Sequence, residues 1–391
     1  MLSLALAGKP NAGKSTFYKA ATMADVDVGN YPFTTIDPNR GVTHARTQCP
    51  CLDREERCGN CEDGVRYVPV ELLDVAGLVP GAHEGRGLGN QFLDALTDAD
   101  AILAVVDAAG ETNDEGEPVE VGTYDPVREA DFVEAELEQW LAGIIERNWE
   151  SVVRKSRSPD FDIDEALTEM LTGFGATEYD VAASLRAVSY PEDPQQWTDD
   201  DRERLARDVR ERTKPIVLVA NKADVAPAEN LDRLNETAKP VIPATADGER
   251  ALRTAAESGV VDYLPGDNDF EISGAVSDAQ QQGLETIREV MNTHGGTGVQ
   301  RAIDTVVYDV LDMVTAYPVQ NETRWTDGTG DVLPDAFLLP RGSTPKDLAY
   351  AVHSDIGEGY LHAVDARSNR RIGEDYELES GDVIKIVSTA N

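Results

Sequence analysis

Eight residues near the start of the chain, Gly8-Lys9-Pro10-Asn11-Ala12-Gly13-Lys14-Ser15, have the types and spacing needed to grip a polyphosphate. Gly8 and Gly13 let the backbone curl so that successive N–H groups converge on one anion, and the ammonium of Lys14 can neutralise β- and γ-phosphates. The Ser15 hydroxyl is a ligand for Mg²⁺. G-x-x-x-x-G-K-S fits the P-loop template at every defined position. A glycine-rich turn without chemistry is the alternative. The flanks speak against it: the apolar run Leu2 to Ala7 leads in, and a helix-compatible segment from Thr16 to Ala21, whose positive end attracts anions, leads out. Gly8, Asn11, Ala12, Gly13, Lys14, Ser15 and Thr16 are therefore the candidate phosphate contacts.

Three later stretches carry what a nucleotide switch requires. The loop Asn30-Tyr31-Pro32-Phe33-Thr34-Thr35-Ile36-Asp37-Pro38-Asn39 offers Thr35, with Thr34 as the second choice, to complete the Mg²⁺ shell and sense the γ-phosphate. Asp74-Val75-Ala76-Gly77 is a D-x-x-G at the end of an alternating, strand-like segment; Asp74 would reach Mg²⁺ through water and the Gly77 N–H the γ-phosphate. Leu78 follows, an apolar side chain with no atom to orient water, and then the glycine-dense run Gly81 to Asn90, in which His83 is a further catalytic candidate. Asn221-Lys222-Ala223-Asp224 is an N-K-x-D. Its Asp224 carboxylate can accept two hydrogen bonds from guanine N1–H and the 2-amino group, which adenine lacks. Thr245-Ala246 is placed to meet the base through main chain.

All four cysteines fall in Cys49-Pro50-Cys51 and Cys58-Gly59-Asn60-Cys61. Two close pairs across a short loop suit tetrahedral thiolate coordination, C-x-x-C being the usual knuckle spacing and C-x-C a tighter one. A structural Zn²⁺, an iron–sulfur cluster and free or redox-active thiols all remain open at this point.

The elements that must hold these residues follow from periodicity. Leu2 to Ala7, Tyr67 to Leu73, Ala101 to Val106 and Pro215 to Ala220 read as strands of a parallel sheet, with Val241 to Ala246 a short further strand running into a T-A loop. Between them, residues 112 to 213 read as a helical insertion: Val133, Leu137, Trp140, Leu141, Ile144, Ile145, Trp149 and Val152 recur with helical period, and Thr198 is a candidate N-cap for a later helix. Val299 to Thr315 also has helical period. From about Pro318 a small α+β module begins, with strands at Ala336 to Pro340, Tyr360 to Ala363 and Val383 to Val387 and a helix from Lys346 to His353. The nucleotide-binding domain is thus expected in two pieces, 1–111 and 214–300, around a helical domain at 112–213, with the last module at 318–391.

The chain has 391 residues, of which 73 are acidic and 35 basic, a formal net charge of -38 spread along its whole length. Such a surface repels itself in dilute buffer, and reads as adaptation to concentrated salt, where the Debye length falls to about 3 Å at 1 M. A halophilic host would follow; an acidic protein of an ordinary cytosol is the alternative. No apolar run approaches a membrane span and the N-terminus lacks a basic region followed by a long hydrophobic core, so a cytoplasmic protein is expected. Nor is there a basic and aromatic stripe of the kind that drives phosphate-led RNA binding.

With G-K-P-N-A-G-K-S-T, N-Y-P-F-T-T-I-D-P-N, D-V-A-G-L-V-P-G-A-H-E-G-R-G-L-G-N-Q-F-L and P-R-G-S-T-P-K-D-L-A in this order, the chain resembles the Obg-related translation-factor GTPases, in particular the YchF branch with its archaeal and eukaryotic relatives. The resemblance implies an α/β P-loop NTPase with a doubly wound sheet, a helical, coiled-coil-like insertion and a C-terminal TGS domain of β-grasp fold. It implies GTP or GDP with Mg²⁺, slow hydrolysis with a hydrophobic residue in place of the catalytic Gln, and a monomer associated with the ribosome or ribosomal RNA. Asn11 is similar to the Asn that holds K⁺ beside the phosphates in related GTPases; a loop-shaping side chain is the other reading of it. The resemblance has two departures. The YchF proteins proper have an altered base motif ending in Glu and prefer ATP, whereas Asp224 predicts GTP, and the cysteine insertion lies outside the general pattern. An ATPase acting in stress signalling, and a nucleotide-gated scaffold for RNA or ribosomal protein with little hydrolysis, are the competing functions.

Overall fold

The computed structural model describes residues 1–22, 40–75, 81 and 96–389. Two compact units divide the chain: Met1–Met23, Asp37–Gly41 and Glu71–Ala302 make the first, and Ala24–Ile36, Val42–Val70 and Ile303–Asn391 the second.

The first unit opens with β1 (Ser3–Ala7) and α1 (Lys14–Thr22), followed by β2 (Arg40–Gln48), β3 (Val65–Asp74) and β4 (Ala101–Asp107). β2 and β3 are shared, because Val42–Val70 count with the second unit. Four helices come next, α2 (Pro126–Lys155), α3 (Ile163–Leu171), α4 (Glu178–Ala187) and α5 (Asp199–Thr213). The chain then returns through β5 (Ile216–Asn221), α6 (Ala228–Asn235), β6 (Val241–Pro243), α7 (Ala246–Glu257), the small ladder β7 (Val261–Asp262) with β8 (Glu271–Ile272), α8 (Asp278–His294) and α9 (Val299–Asp304). Six strands pair in the order β2-β3-β1-β4-β5-β6, and β3, β1, β4, β5 and β6 run parallel. β1, β4 and β5 are buried at every position, which is why they read as unbroken apolar runs and not as alternation. Because β3 and β4 flank β1 on opposite sides, the sheet reverses its order there, and its carboxyl edge opens a crevice where the loop after β1 lies.

α2 starts on Asp125, whose carboxylate accepts from Val127 N, with Pro126 at the first helical position. Thirty residues give it a length of about 45 Å. The apolar stripe serves two cores. Ala130, Val133 and Leu137 pack with Ala104, Val106 and Leu218 of the sheet, whereas Leu141, Ile145, Trp149 and Val152 pack with Leu167, Phe174, Val181, Trp197, Leu205 and Val209 of the following helices. Along α2 the residues up to Leu137 pack in the sheet's core and those from Leu141 in the helical one, while Trp140 packs against both. Thr198 does cap α5, in a reciprocal box with Asp201.

The second unit is a five-stranded sheet with one principal helix. β9 (Met313–Val319), β10 (Phe337–Pro340), α10 (Pro345–Val352), α11 (Ser354–Glu358), β11 (Tyr360–Asp365), β12 (Arg370–Ile372) and β13 (Asp382–Ser388) follow one another, and the sheet order is β10-β9-β13-β11-β12. Only β9 and β13 are parallel; the other pairs are antiparallel. Leu348 of α10 packs among Val314, Ala316, Leu339, Ala363 and Ile384. Thr344 caps that helix with Asp347, and Pro345 occupies its first turn. This is the β-grasp arrangement.

The segment Val299 to Thr315 departs from its expected helix. α9 continues as a π-helix from Thr305 to Val310, Asp312 then takes a left-handed φ of 48°, and Met313 opens β9 of the C-terminal sheet. Apolar residues at Val306, Val307, Val310 and Val314 kept a helical spacing across the break and hid it.

Candidate functional site

β1 ends at Ala7 and α1 begins at Lys14, so residues 8–13 form the loop between them. Gly8 has φ 141° and a Cβ there would sit 2.3 Å from the Val105 carbonyl oxygen of β4; at Gly13, φ 100°, a Cβ would sit 2.1 Å from Asn221 Nδ2. Neither position accepts a side chain. Asn11 is itself left-handed, φ 61°, and its Nδ2 donates to Gly116 O at 2.9 Å, so it shapes the loop while its Oδ1 remains as a coordinating atom. Lys14 Nζ donates to the carbonyls of Gly8 (2.9 Å) and Lys9 (2.8 Å). Burial lowers its pKa from 10.5 to about 8, against the smaller opposing pull of Asp74 and Glu129. Ser15 Oγ donates to Asp74 Oδ2 at 3.2 Å, bringing a hydroxyl and a carboxylate from different elements side by side. Asp74 is half-buried, and desolvation raises its pKa against the Ser15 hydrogen bond and Lys14. These two oxygens fit a Mg²⁺ shell, the hydroxyl as a direct ligand and the carboxylate behind it.

β5 delivers the second wall. Asn221 Nδ2 donates to Ala12 O and its Oδ1 accepts from Ala246 N, both at 3.1 Å, so one buried side chain ties the phosphate loop to the start of α7. Lys222 is left-handed, φ 62°, and its Nζ pairs with Asp107 Oδ2 at 3.1 Å and Glu111 Oε1 at 3.0 Å. Asp224 is exposed on the rim. Thr245 is buried and caps α7 through Gly248 N, while Ala246 N is engaged by Asn221. A cavity of about 370 Å³ lies between these walls, lined by the loop from Asn11 to Thr16 on one side and by Asn221, Lys222, Asp224 and Ala246 on the other. Of the residues expected at the site, all those on described segments except Gly8, Ala12, Asp74 and Thr245 line it, and Ala12, Asp74 and Thr245 are one bond or one hydrogen bond away. Thr34, Thr35, Gly77, Leu78 and His83 lie outside the described residues.

Sequence reasoning missed a layer behind the loop. Lys9, 2% exposed, pairs with Glu129 Oε2 at 3.0 Å, donates to Thr112 O at 2.7 Å and sits 3.9 Å over the Tyr124 ring. Glu129 also accepts from Asp107 N, and its burial raises its pKa to about 7 although Lys9 pulls the other way. Asp107, the last residue of β4, and Glu111 beyond it position Lys222. A carboxylate at the end of an apolar strand, Asp107, was the one visible signal; Lys9 and Glu129 had none, being charged residues in a loop and a helix.

Fold and cavity define a P-loop nucleotide-binding protein. Three family models match: "50S ribosome-binding GTPase" over residues 3–147, "Obg-like GTPase YGR210-like, G4 motif-containing domain" over 219–321 and "TGS domain" over 330–388. The GTP-binding protein MJ1332 of Methanocaldococcus jannaschii is 44% identical over 399 residues, all of both chains. The ribosome-binding ATPase YchF of Bacillus subtilis is 26% identical over 98% of each. The crystal structure of a GTP-binding protein from Pyrococcus horikoshii OT3 aligns with a TM-score of 0.78 at 37% identity, covering 99% of this chain and all of that one. The Schizosaccharomyces pombe YchF GTPase shares the fold, with a TM-score of 0.58 at 19% identity over 99% and 97%. The chain belongs to the YchF-related, Obg-like family of GTP-binding P-loop proteins.

Proposed function

We propose that this protein is a GTP-driven switch that hydrolyses GTP slowly and works in association with the ribosome. The observation that carries the nucleotide assignment is Asp224 on the cavity rim, on the same N-K-x-D whose Asn221 is bonded to the phosphate loop. A purine held there presents its N1 and C2 edge to a carboxylate, which guanine satisfies with two donors and adenine does not. Lys14 and the loop amides, with Thr16 following, grip the phosphates; Ser15, Thr35 and, through water, Asp74 hold Mg²⁺; the Gly77 N–H senses the γ-phosphate. Mg²⁺ supplies charge neutralisation at the β and γ oxygens. Since Leu78 cannot orient water, K⁺ at Asn11 Oδ1 is the added cation, in the part an arginine finger plays elsewhere. Equal turnover in KCl and NaCl at matched ionic strength overturns that assignment of Asn11.

The ribosome enters from the words "ribosome-binding" in the names of the relatives and of one matched family. Residues 1–111 with 214–300 serve as the switch, the helical region within 112–213 and the TGS module as its effectors, in a monomeric, cytoplasmic protein of a salt-loving cell that carries a structural Zn²⁺ on its four cysteines. Competition of GTP and ATP for the Mg²⁺-loaded protein tests the central point. GTP is expected to displace labelled nucleotide at far lower concentration; ATP winning supports the second reading, an ATPase like the relatives bearing that name.

A further inference from the structure

The four cysteines belong to the second unit, where Cys49 and Cys51 flank the turn after β2 and Cys58 and Cys61 the return towards β3. All four Sγ atoms lie within 4.8 Å of one another, with 3.7 Å between Cys49 and Cys58, 3.5 Å between Cys51 and Cys61 and 3.5 Å between Cys58 and Cys61. Zn–S bonds of about 2.3 Å in a regular tetrahedron place sulfurs about 3.8 Å apart. The observed spacings are those of one ion's ligand shell, well beyond the ~2.05 Å of a disulfide. An iron–sulfur cluster spreads its thiolates over several iron atoms and needs a wider cage. Asn60 N donates to Cys58 Sγ at 3.3 Å, a support for a thiolate from the backbone.

The surroundings are apolar: Cys49 and Cys51 are buried in a cluster with Tyr317, Trp325, Val332, Leu333 and Val383. Four thiolates fill a tetrahedral shell and leave no open position, the donor set of a structural site. What it touches is a segment without regular helix or strand, closed by turn bonds such as Trp325 N to Asn321 O and Leu333 N to Trp325 O. Between β9 and β10 the chain makes isolated bridges at Asn321–Thr326 and Thr326–Val332, and its buried residues rest on the cysteine loop. Asn60 Nδ2 donates to Val332 O and Leu333 O at 3.3 and 3.4 Å, Arg66 donates to Leu333 O and Pro334 O at 3.1 and 2.7 Å, and Arg54 donates to Thr323 O at 2.9 Å while covering the Trp325 ring.

We propose that one Zn²⁺ on Cys49, Cys51, Cys58 and Cys61 is a folding ligand of the second unit, fastening the 49–66 loop to the 320–334 segment so that this loop is built into the C-terminal module. The inference rests on the zinc reading of the cysteines and is independent of the nucleotide assignment. A module of this size has a small core, and four thiols converging without an ion would leave weakly partnered sulfur inside it. The ion replaces that liability with four bonds whose free energy is folding free energy.

The test uses the full chain purified in high KCl without chelator. Elemental analysis is expected to give about one zinc per chain, and Co²⁺ exchanged for it the intense visible bands of a tetrahedral thiolate site. Stripping the metal with a thiol-reactive mercurial and chelator is expected to release amide protection in 49–66 and 320–334, to leave β1 and β5 protected and to leave GTP affinity unchanged within twofold. Zinc-free protein that takes up no Co²⁺, iron found in place of zinc, or protection in 320–334 that survives metal removal overturns the proposal. Because a C58S/C61S variant can fail to fold, the metal-stripped natural chain and its zinc-restored form carry the comparison. Failure of GTP to bind the zinc-replete chain counts against the nucleotide reading and leaves this one standing.

Discussion

On the proposed reading, Asp224, Asn221 and Lys14 divide the work of the cavity in ways that single substitutions separate. Asp224→Asn leaves an amide facing two donors, so GTP affinity is expected to fall by roughly a hundredfold, about 2.7 kcal/mol, while xanthosine triphosphate, with a carbonyl at C2, gains. Competition binding with the two nucleotides checks this, and an unchanged preference for GTP contradicts the role given to Asp224. Lys14 makes a pH prediction. Its pKa is depressed to about 8 by burial, and a bound triphosphate, stabilising the ammonium, raises it again. Binding then takes up a proton above pH 8, so affinity is full below that value and lost as pH rises through it. A fall of about tenfold between pH 7 and pH 9 is expected by calorimetry, and a flat profile contradicts it. The types and spacing of these residues were legible in the sequence because each is fixed by the ligand's chemistry. Lys9 and Glu129 were not, since their pairing depends on where the first turn of a distant helix docks.

At the scale of elements, the loop after β1 is held by what lies behind it. Lys9 and Glu129 are 2% and 0% exposed, and removal of one leaves the other buried without its partner. Lys9→Ala is expected to destabilise the protein by about 3–5 kcal/mol. Equilibrium denaturation checks it, and a Lys9→Ala/Glu129→Ala pair is expected to recover part of the loss. The apolar runs of β1, β4 and β5 declared themselves in the sequence, being buried on both faces. β2, Arg-Gly-Val-Thr-His-Ala-Arg-Thr-Gln, did not: it lies at the sheet edge, and its polar composition matches no strand pattern. α2 shows the complementary limit, for one continuous stripe gave no sign that it serves two cores.

For the molecule as a whole, the charge of -38 makes salt a variable of stability. Tm is expected to rise steeply with KCl from ~0.1 M, where the Debye length is about 10 Å, towards several molar, where repulsion is screened at contact range. A Tm that is flat in salt removes the halophilic reading. What the sequence determined by itself was chemistry and class: phosphate loop, base motif, cysteine pairs, sheet strands and the small α+β tail are local patterns, each requiring residue types at fixed spacing. Tertiary structure decided what brings residues together from afar: Ser15 beside Asp74, Asn221 joining Ala12 to Ala246, Lys9 on Glu129, and the cysteine loop seated on the 320–334 segment. Such contacts depend on strand order and helix docking, which are set by the summed burial of many side chains and leave no mark at the individual positions they join.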